Sequence, residues 1–167
     1  MTARGASHGP GHFQRLYEAS RDPWQYRTSP YEQSKYRRTV ASLGARKFHS
    51  GFEAGCSIGV LTRLLALRCE RLLAVDIVEQ PMRSARATSA NQPWVRLERM
   101  EIPAEWPGDT FDLIVLSEVL YFLSPADIGT AADRVVATLE LGGVVLLVNW
   151  RATRTIPAPV TRRQPYS

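Results

Sequence analysis

The stretch from Phe52 to Thr62, Phe-Glu-Ala-Gly-Cys-Ser-Ile-Gly-Val-Leu-Thr, constrains the fold more than any other part of the chain. An apolar run broken by polar residues, Lys47 to Phe52, reaches an acid and then a turn of small residues. Ile58, Leu61, Leu64, Leu65 and Leu67 follow in a helical pattern. Strand, bare turn and helix in this order let a nucleotide lie against backbone. Gly55 offers a position without a Cβ, where a ligand can come close or φ can turn positive. The helix then presents N–H groups toward whatever sits over the turn. The pattern Glu53-x-Gly55-x-Ser57-x-Gly59 is one glycine short of the pyrophosphate-binding fingerprint. Such a turn also joins strand to helix with no ligand at all.

A second signal lies downstream. Arg71-Leu-Leu-Ala-Val-Asp76 reads as a short buried strand ending in a carboxylate. Asp76 stands 21 positions after Gly55, near the ~20-residue offset at which an acid meets ribose hydroxyls. Two acceptor oxygens suit a vicinal diol. The alternative is a solvated acid capping the next helix. Turn and acid together are more specific than either.

A chain of 167 residues fits one domain and hides roughly two-thirds of its extended surface. The net charge of +5 is unevenly divided. Residues 1–49 carry nine Lys/Arg against three Asp/Glu, and residues 50–150 carry eight against thirteen. Residues 151–167 carry four Arg and no acid, so the positive surplus sits on the terminal arms. Nucleic-acid binders concentrate such charge on a folded face, and no nucleic-acid partner is expected. Cys56 and Cys69 lack metal-ligand or disulfide-framework spacing, and read as small buried hydrophobes in a reducing compartment. His8, His12 and His49 suggest no metal set. No segment reaches ~20 apolar residues and no signal-peptide core opens the chain, so a cytoplasmic protein without a membrane span is expected.

Residues 1–11 are of low complexity and read as disordered. Residues 12–46 form two short helices that could act as a lid or simply as a packed cap. The first carries Phe13, Leu16 and Tyr17 and is broken by Asp22-Pro23-Trp24. The second opens at Ser29-Pro30-Tyr31-Glu32, with Ser as cap, Pro first and Glu third. Residues 47–150 form the core. A helix from Glu79 to near Ser89 precedes an alternating third strand, Trp94 to Met100. The link Glu101–Thr110 contains two prolines and a glycine and crosses as a loop over the carboxyl edge of the sheet. Phe111 to Leu116 is a central strand, nearly all apolar. A helix from about Pro125 to Leu139 turns Ile128, Ala131, Ala132, Val135, Val136 and Leu139 inward, and Leu141-Gly142-Gly143 stops it. Val144 to Trp150 is a fifth strand, and residues 151–167 are an irregular basic tail.

Five signals in this order resemble the class I S-adenosylmethionine-dependent methyltransferases. They are Glu53-Ala-Gly-Cys-Ser-Ile-Gly59, Asp76, Glu101-Ile102, Phe111-Asp-Leu-Ile-Val115 and Leu141-Gly-Gly143. Tyr17, Asp22-Pro23-Trp24, Ser29-Pro-Tyr-Glu32 and Ser117-Glu-Val-Leu-Tyr-Phe-Leu123 look like the nodulation protein S branch, whose members N-methylate an amino sugar of a chitin-oligosaccharide precursor. The resemblance implies S-adenosylmethionine as cofactor. The turn from Gly55 through Cys56 and Ser57 to Gly59 would hold its methionine part, with Glu53 ordering the ammonium and Ser117 offering a carbonyl. Asp76, beside Ile77, would take the ribose; Ile102 would pack on adenine and Glu101 accept from its amine. Tyr17 and Trp24 would close over the ligand. Glu118 would hold or deprotonate an acceptor amine, with Tyr121 as second choice or as a wall; Glu118 could instead be a helix N-terminal acid. Ser57 departs from the commoner glycine.

The expected fold is α/β, a Rossmann-like parallel sheet in the order 3-2-1-4-5 with helices on both faces. The resemblance implies two further strands, which the Pro-rich tail cannot supply. An exposed fifth strand would then favour self-association. The rivals are an NAD-dependent oxidoreductase, which needs a later third glycine, and a catalytically silent binding domain.

Overall fold

The structure, a computed structural model, describes residues 5–149. Eleven elements follow the expected order: α1 (Pro10–Ala19), α2 (Pro30–Ala41), β1 (Phe48–Ala54), α3 (Val60–Ala66), β2 (Cys69–Asp76), α4 (Glu79–Thr88), β3 (Val95–Arg99), β4 (Phe111–Ser117), a 3-10 turn (Leu120–Phe122), α5 (Pro125–Thr138) and β5 (Leu139–Val148). The five strands pair in parallel in the order β3-β2-β1-β4-β5. β1 and β4 are central, and their apolar residues are buried on both faces of the sheet.

Alternation within the strands separates two cores. Leu72, Leu113 and Val115 pack with Tyr17, Tyr36, Leu61 and Leu65 from α1, α2 and α3. Leu73, Val75, Ile114 and Leu116 face the opposite side, against Val135 of α5 and Trp106 of the 100–110 link. Trp106 stands edge-on to Phe52 at 5.1 Å and donates to Thr138 Oγ1 at 3.1 Å. These contacts pin the link to the face of the sheet that α5 covers. Cys56 and Cys69 are both buried and unbridged.

Three expectations fail here. Gly5 to Gly11 are not loose: His8 N–H donates to the Phe122 carbonyl at 2.9 Å, and Ser124 N–H to Ser7 Oγ at 2.7 Å. Their low complexity hid partners more than a hundred residues away. Leu141-Gly142-Gly143 does not stop α5, because the chain is already extended at Leu139. Leu139 pairs with Phe111, and the register then slips so that Val144 faces Leu113, with Gly142 at φ +75 in the bulge. Finally, α5 buries Ala131 and Val135 but leaves Ile128 and Val136 exposed. The tail 151–167 lies outside the described residues.

Candidate active site

β1 ends at a turn whose two glycines serve different needs. Gly55 has φ +87, and a Cβ there would overlap the Ser117 carbonyl oxygen at the end of β4. Gly59 has φ +82, and a Cβ would lie 2.9 Å from Ala85 of α4. The first glycine lets two strand ends meet beneath a cleft; the second lets α3 pack on α4. Gly59 therefore does not line the cleft, and neither does Cys56, which packs with Met82 and Ala74.

Asp76 stands beside the turn. Its Oδ2 accepts from Ser57 N–H at 2.9 Å and its Oδ1 from Val78 N–H at 3.1 Å. Burial raises its pKa to about 6 from an ordinary 3.8, and the backbone donors hold it from rising further. The Ile77 N–H also bonds this carboxylate, which with about four lone-pair sites still has capacity to accept. Glu53 lies behind the turn, only 1% exposed, and does not reach the cleft wall. Thr62 Oγ1 donates to its Oε2 at 2.6 Å, while Oε1 has no hydrogen-bond partner among the described residues. Burial raises the Glu53 pKa to about 7, opposed by the Thr62 bond and aided by Asp76.

A single cleft gathers Tyr17, Trp24, Gly55, Ser57, Asp76, Ile77, Glu101, Ile102, Ser117 and Glu118. Tyr17 OH shares a hydrogen bond with Ser57 Oγ, which ties α1 to the turn. Trp24 meets Tyr17 edge-on at 5.5 Å and stacks on Tyr26 at 5.7 Å. Asp22 shapes that corner by accepting from Tyr26 N–H at 2.9 Å and Arg27 N–H at 3.0 Å. On the opposite side Ile77, Met100 and Ile102 form an apolar wall, with Glu101 at its rim.

Glu118 does not cap a helix. It takes φ +55, its N–H donates to the Val148 carbonyl at 2.7 Å, and its side chain meets Lys35 of α2 in a buried ion pair. Tyr121 is 49% exposed and outside the cleft; its hydroxyl donates to Glu118 Oε2 at 2.9 Å. Sequence reasoning missed Ser7, His8, Phe13, Tyr26, Met100 and Phe122 as wall residues, and Lys35 as the partner of Glu118. Tyr26, two positions after Trp24, was the one with a local signal. Among the described residues no group of His, Cys, Asp and Glu could hold a metal, and no helix is long and apolar enough to cross a membrane.

The sheet order, the bare turn after β1 and the acid ending β2 define the class: the class I S-adenosylmethionine-dependent methyltransferase fold. Residues 12–151 match the family of nodulation protein S (NodS), and the chain belongs to that family. Nodulation protein S of Bradyrhizobium diazoefficiens is 35% identical over 103 residues, 61% of this chain and 49% of that protein. Nodulation protein S of Rhizobium tropici is 31% identical over 131 residues, 75% of this chain and 53% of that protein. The chain thus spans about half the length of these curated relatives. The N-methyltransferase NodS from Bradyrhizobium japonicum WM9, solved in complex with S-adenosyl-L-homocysteine, superposes with a TM-score of 0.76 at 29% identity. That match covers 82% of this chain and 70% of the other.

Proposed function

We propose that this domain binds S-adenosylmethionine and methylates the nitrogen of a small-molecule amine, an amino sugar of a chitin-oligosaccharide precursor being the favoured class. The carrying observation is that Asp76, the Gly55 turn under the Ser117 carbonyl, and the Glu118 carboxylate all meet in one cleft. The residues fit the cofactor. Asp76 offers spare lone pairs to a ribose diol, Ile77, Met100 and Ile102 give a purine an apolar wall, and Glu101 can accept from an exocyclic amine. The Ser117 carbonyl suits the methionine ammonium. Glu53 can order that ammonium only from behind, through water on its Oε1, which has no hydrogen-bond partner among the described residues.

When bound, the cofactor supplies a sulfonium methyl: an N–C bond forms as the C–S bond breaks, its electron pair staying on sulfur. The chain's own work is alignment, which can supply up to ~7–11 kcal/mol in ideal cases. An ammonium must lose a proton before its nitrogen can attack, and we assign that proton to Glu118, one of the carboxylates that line the cleft. Tyr121 holds Glu118 from outside and is a supporting group. Tyr17 and Trp24 close the cofactor side.

Calorimetric titration with S-adenosylmethionine and with NAD tests the cofactor: binding of the first alone is expected. Mass spectrometry after incubation with S-adenosylmethionine and a chitin oligosaccharide bearing one free amine tests the acceptor. A single added methyl on that nitrogen is expected. An O-methylated product would overturn the amine assignment.

A further inference from the structure

Ser7, His8, Phe122 and Asp127 line the same cleft as Glu118, and none of them has a part in holding the cofactor. Residues 5–9 form neither helix nor strand. They are nevertheless tied to the far side of the cleft, by bonds that do not use the His8 ring. His8 N–H donates to the Phe122 carbonyl at 2.9 Å, Ser124 N–H to Ser7 Oγ at 2.7 Å, and the Ser7 hydroxyl to Asp127 Oδ2.

This docking leaves three kinds of group at one place. The His8 imidazole is exposed, and neither ring nitrogen has a hydrogen-bond or ion-pair partner among the described residues. An imidazole in its neutral form offers one donor and one acceptor. Asp127 spends Oδ2 on the hydroxyls of Ser7 and Ser124, the latter at 3.1 Å, while Oδ1 has no partner among the described residues. Phe122 stands edge-on to His8 at 5.7 Å and to Phe13 at 4.8 Å, and gives the same place an apolar side. An apolar wall with a few polar groups in fixed positions is what orients a small ligand. Hydroxyls both give and take hydrogen bonds, so imidazole and carboxylate suit them together, and the apolar side suits the C–H groups between. The Asp127 carboxylate repels a phosphate or a second carboxylate.

We propose that segment 5–9 completes an acceptor subsite in which His8 and Asp127 bind the hydroxyls of a polyhydroxylated ring whose amine lies at Glu118. This rests on reading the cleft as the methyl-transfer site. It adds that choice of a hydroxylated acceptor over a plain amine comes from His8, ahead of α1, and Asp127, in the first turn of α5.

NMR titration of the full chain saturated with S-adenosylhomocysteine tests this without turnover. One probe is a chitin tetrasaccharide bearing one free amine. The other is cyclohexylamine, which puts an amine on a six-membered ring without hydroxyls. The wild-type protein should bind the tetrasaccharide with a shift of the His8 ring signals. His8→Phe keeps a flat ring beside Phe122 and removes both nitrogens. It should weaken tetrasaccharide binding about tenfold, the loss of one hydrogen bond, with cyclohexylamine and S-adenosylhomocysteine affinities unchanged. Asp127→Asn, which keeps an oxygen for Ser7 and Ser124, should weaken the tetrasaccharide to a similar degree. Should Asp127→Asn fail to fold, His8→Phe decides, since that side chain is exposed. Unchanged tetrasaccharide affinity in His8→Phe, or an equal loss for both probes, overturns the subsite alone. A wild type that binds S-adenosylhomocysteine but not the tetrasaccharide overturns the amino-sugar reading and the subsite with it. One that does not bind S-adenosylhomocysteine overturns the cofactor reading beneath both.

Discussion

The floor and the far wall of the cleft, which the proposed function makes its cofactor and acceptor sides, are built over different distances along the chain. The floor needs Gly55, Ser57 and Asp76, and its key bond joins residues 19 apart. The wall joins Lys35 to Glu118 across 83 positions, and Ser7 to Asp127 across 120. The floor is mostly backbone: bare turn, strand-end carbonyl and amides on Asp76. The wall is mostly side chains, and its charge balance depends on α2 packing against the end of β4. A floor of this kind tolerates sequence change wherever the backbone path survives.

The largest effect should come from Gly55→Ala. A positive φ costs about 1–2 kcal/mol for an L-residue, and overlap with the Ser117 carbonyl adds about 1–3 kcal/mol. A large drop in melting temperature is expected. A melting temperature within a degree of wild type would show that floor and wall do not meet as described.

Asp76→Ala should follow. Loss of the charge-assisted bond to the ribose should weaken cofactor binding by about 1.5–3 kcal/mol. The orphaned Ser57 and Val78 amides should lower stability as well. Unchanged cofactor affinity by calorimetry in a folded mutant would remove Asp76 from the site.

The floor also titrates. Glu53 and Asp76 hold protons more tightly folded than unfolded, with pKa values raised to about 7 and about 6. Their stabilising contribution is complete below the ordinary carboxylate range and is lost as pH rises through 6 and 7. Stability of the ligand-free domain should fall as pH rises from 4 to 8. Glu53→Gln should flatten the upper part of that fall. Denaturant titrations across pH check both, and a profile identical to wild type would contradict the burial assigned to Glu53.

A smaller effect belongs to the lid. Cofactor binding should change the fluorescence of Trp24, and Trp24→Phe should remove that change while Trp94, Trp106 and Trp150 remain. A response that survives the substitution would place Trp24 outside the lid.

The last and weakest effect concerns β5, whose outer edge pairs with no strand among the described residues and exposes Leu141, Val145 and Leu147. Concentration-dependent self-association by sedimentation is expected, reduced by Leu147→Lys. A wild-type monomer at high concentration would show the edge to be protected.

The floor was legible from the sequence because its chemistry is local. Glycine spacing, a strand-ending acid and alternating apolar runs each report on neighbours within one turn or strand, and chain geometry converts them into a parallel sheet in a definite order. The 100–110 link was likewise readable, since its prolines forbid a helix and its length suffices for a crossing. The same local logic misled where a residue had a distant partner. Glu32 looked like a cap because its sequence neighbours said so, but Gln25 took the cap's amide and Lys35 took the carboxylate. Glu118 carried two readings in the sequence, a group for the acceptor amine and an acid at a helix start, and neither foresaw that tertiary packing makes it one end of a buried ion pair. Ser7 and His8 carried no periodic signal, yet they wall the cleft through Phe122, Ser124 and Asp127. Backbone turns and strands follow from residues close in sequence. Which charges share a dry pocket follows only once helices from opposite ends of the chain are packed, since burial and Coulomb attraction act through space.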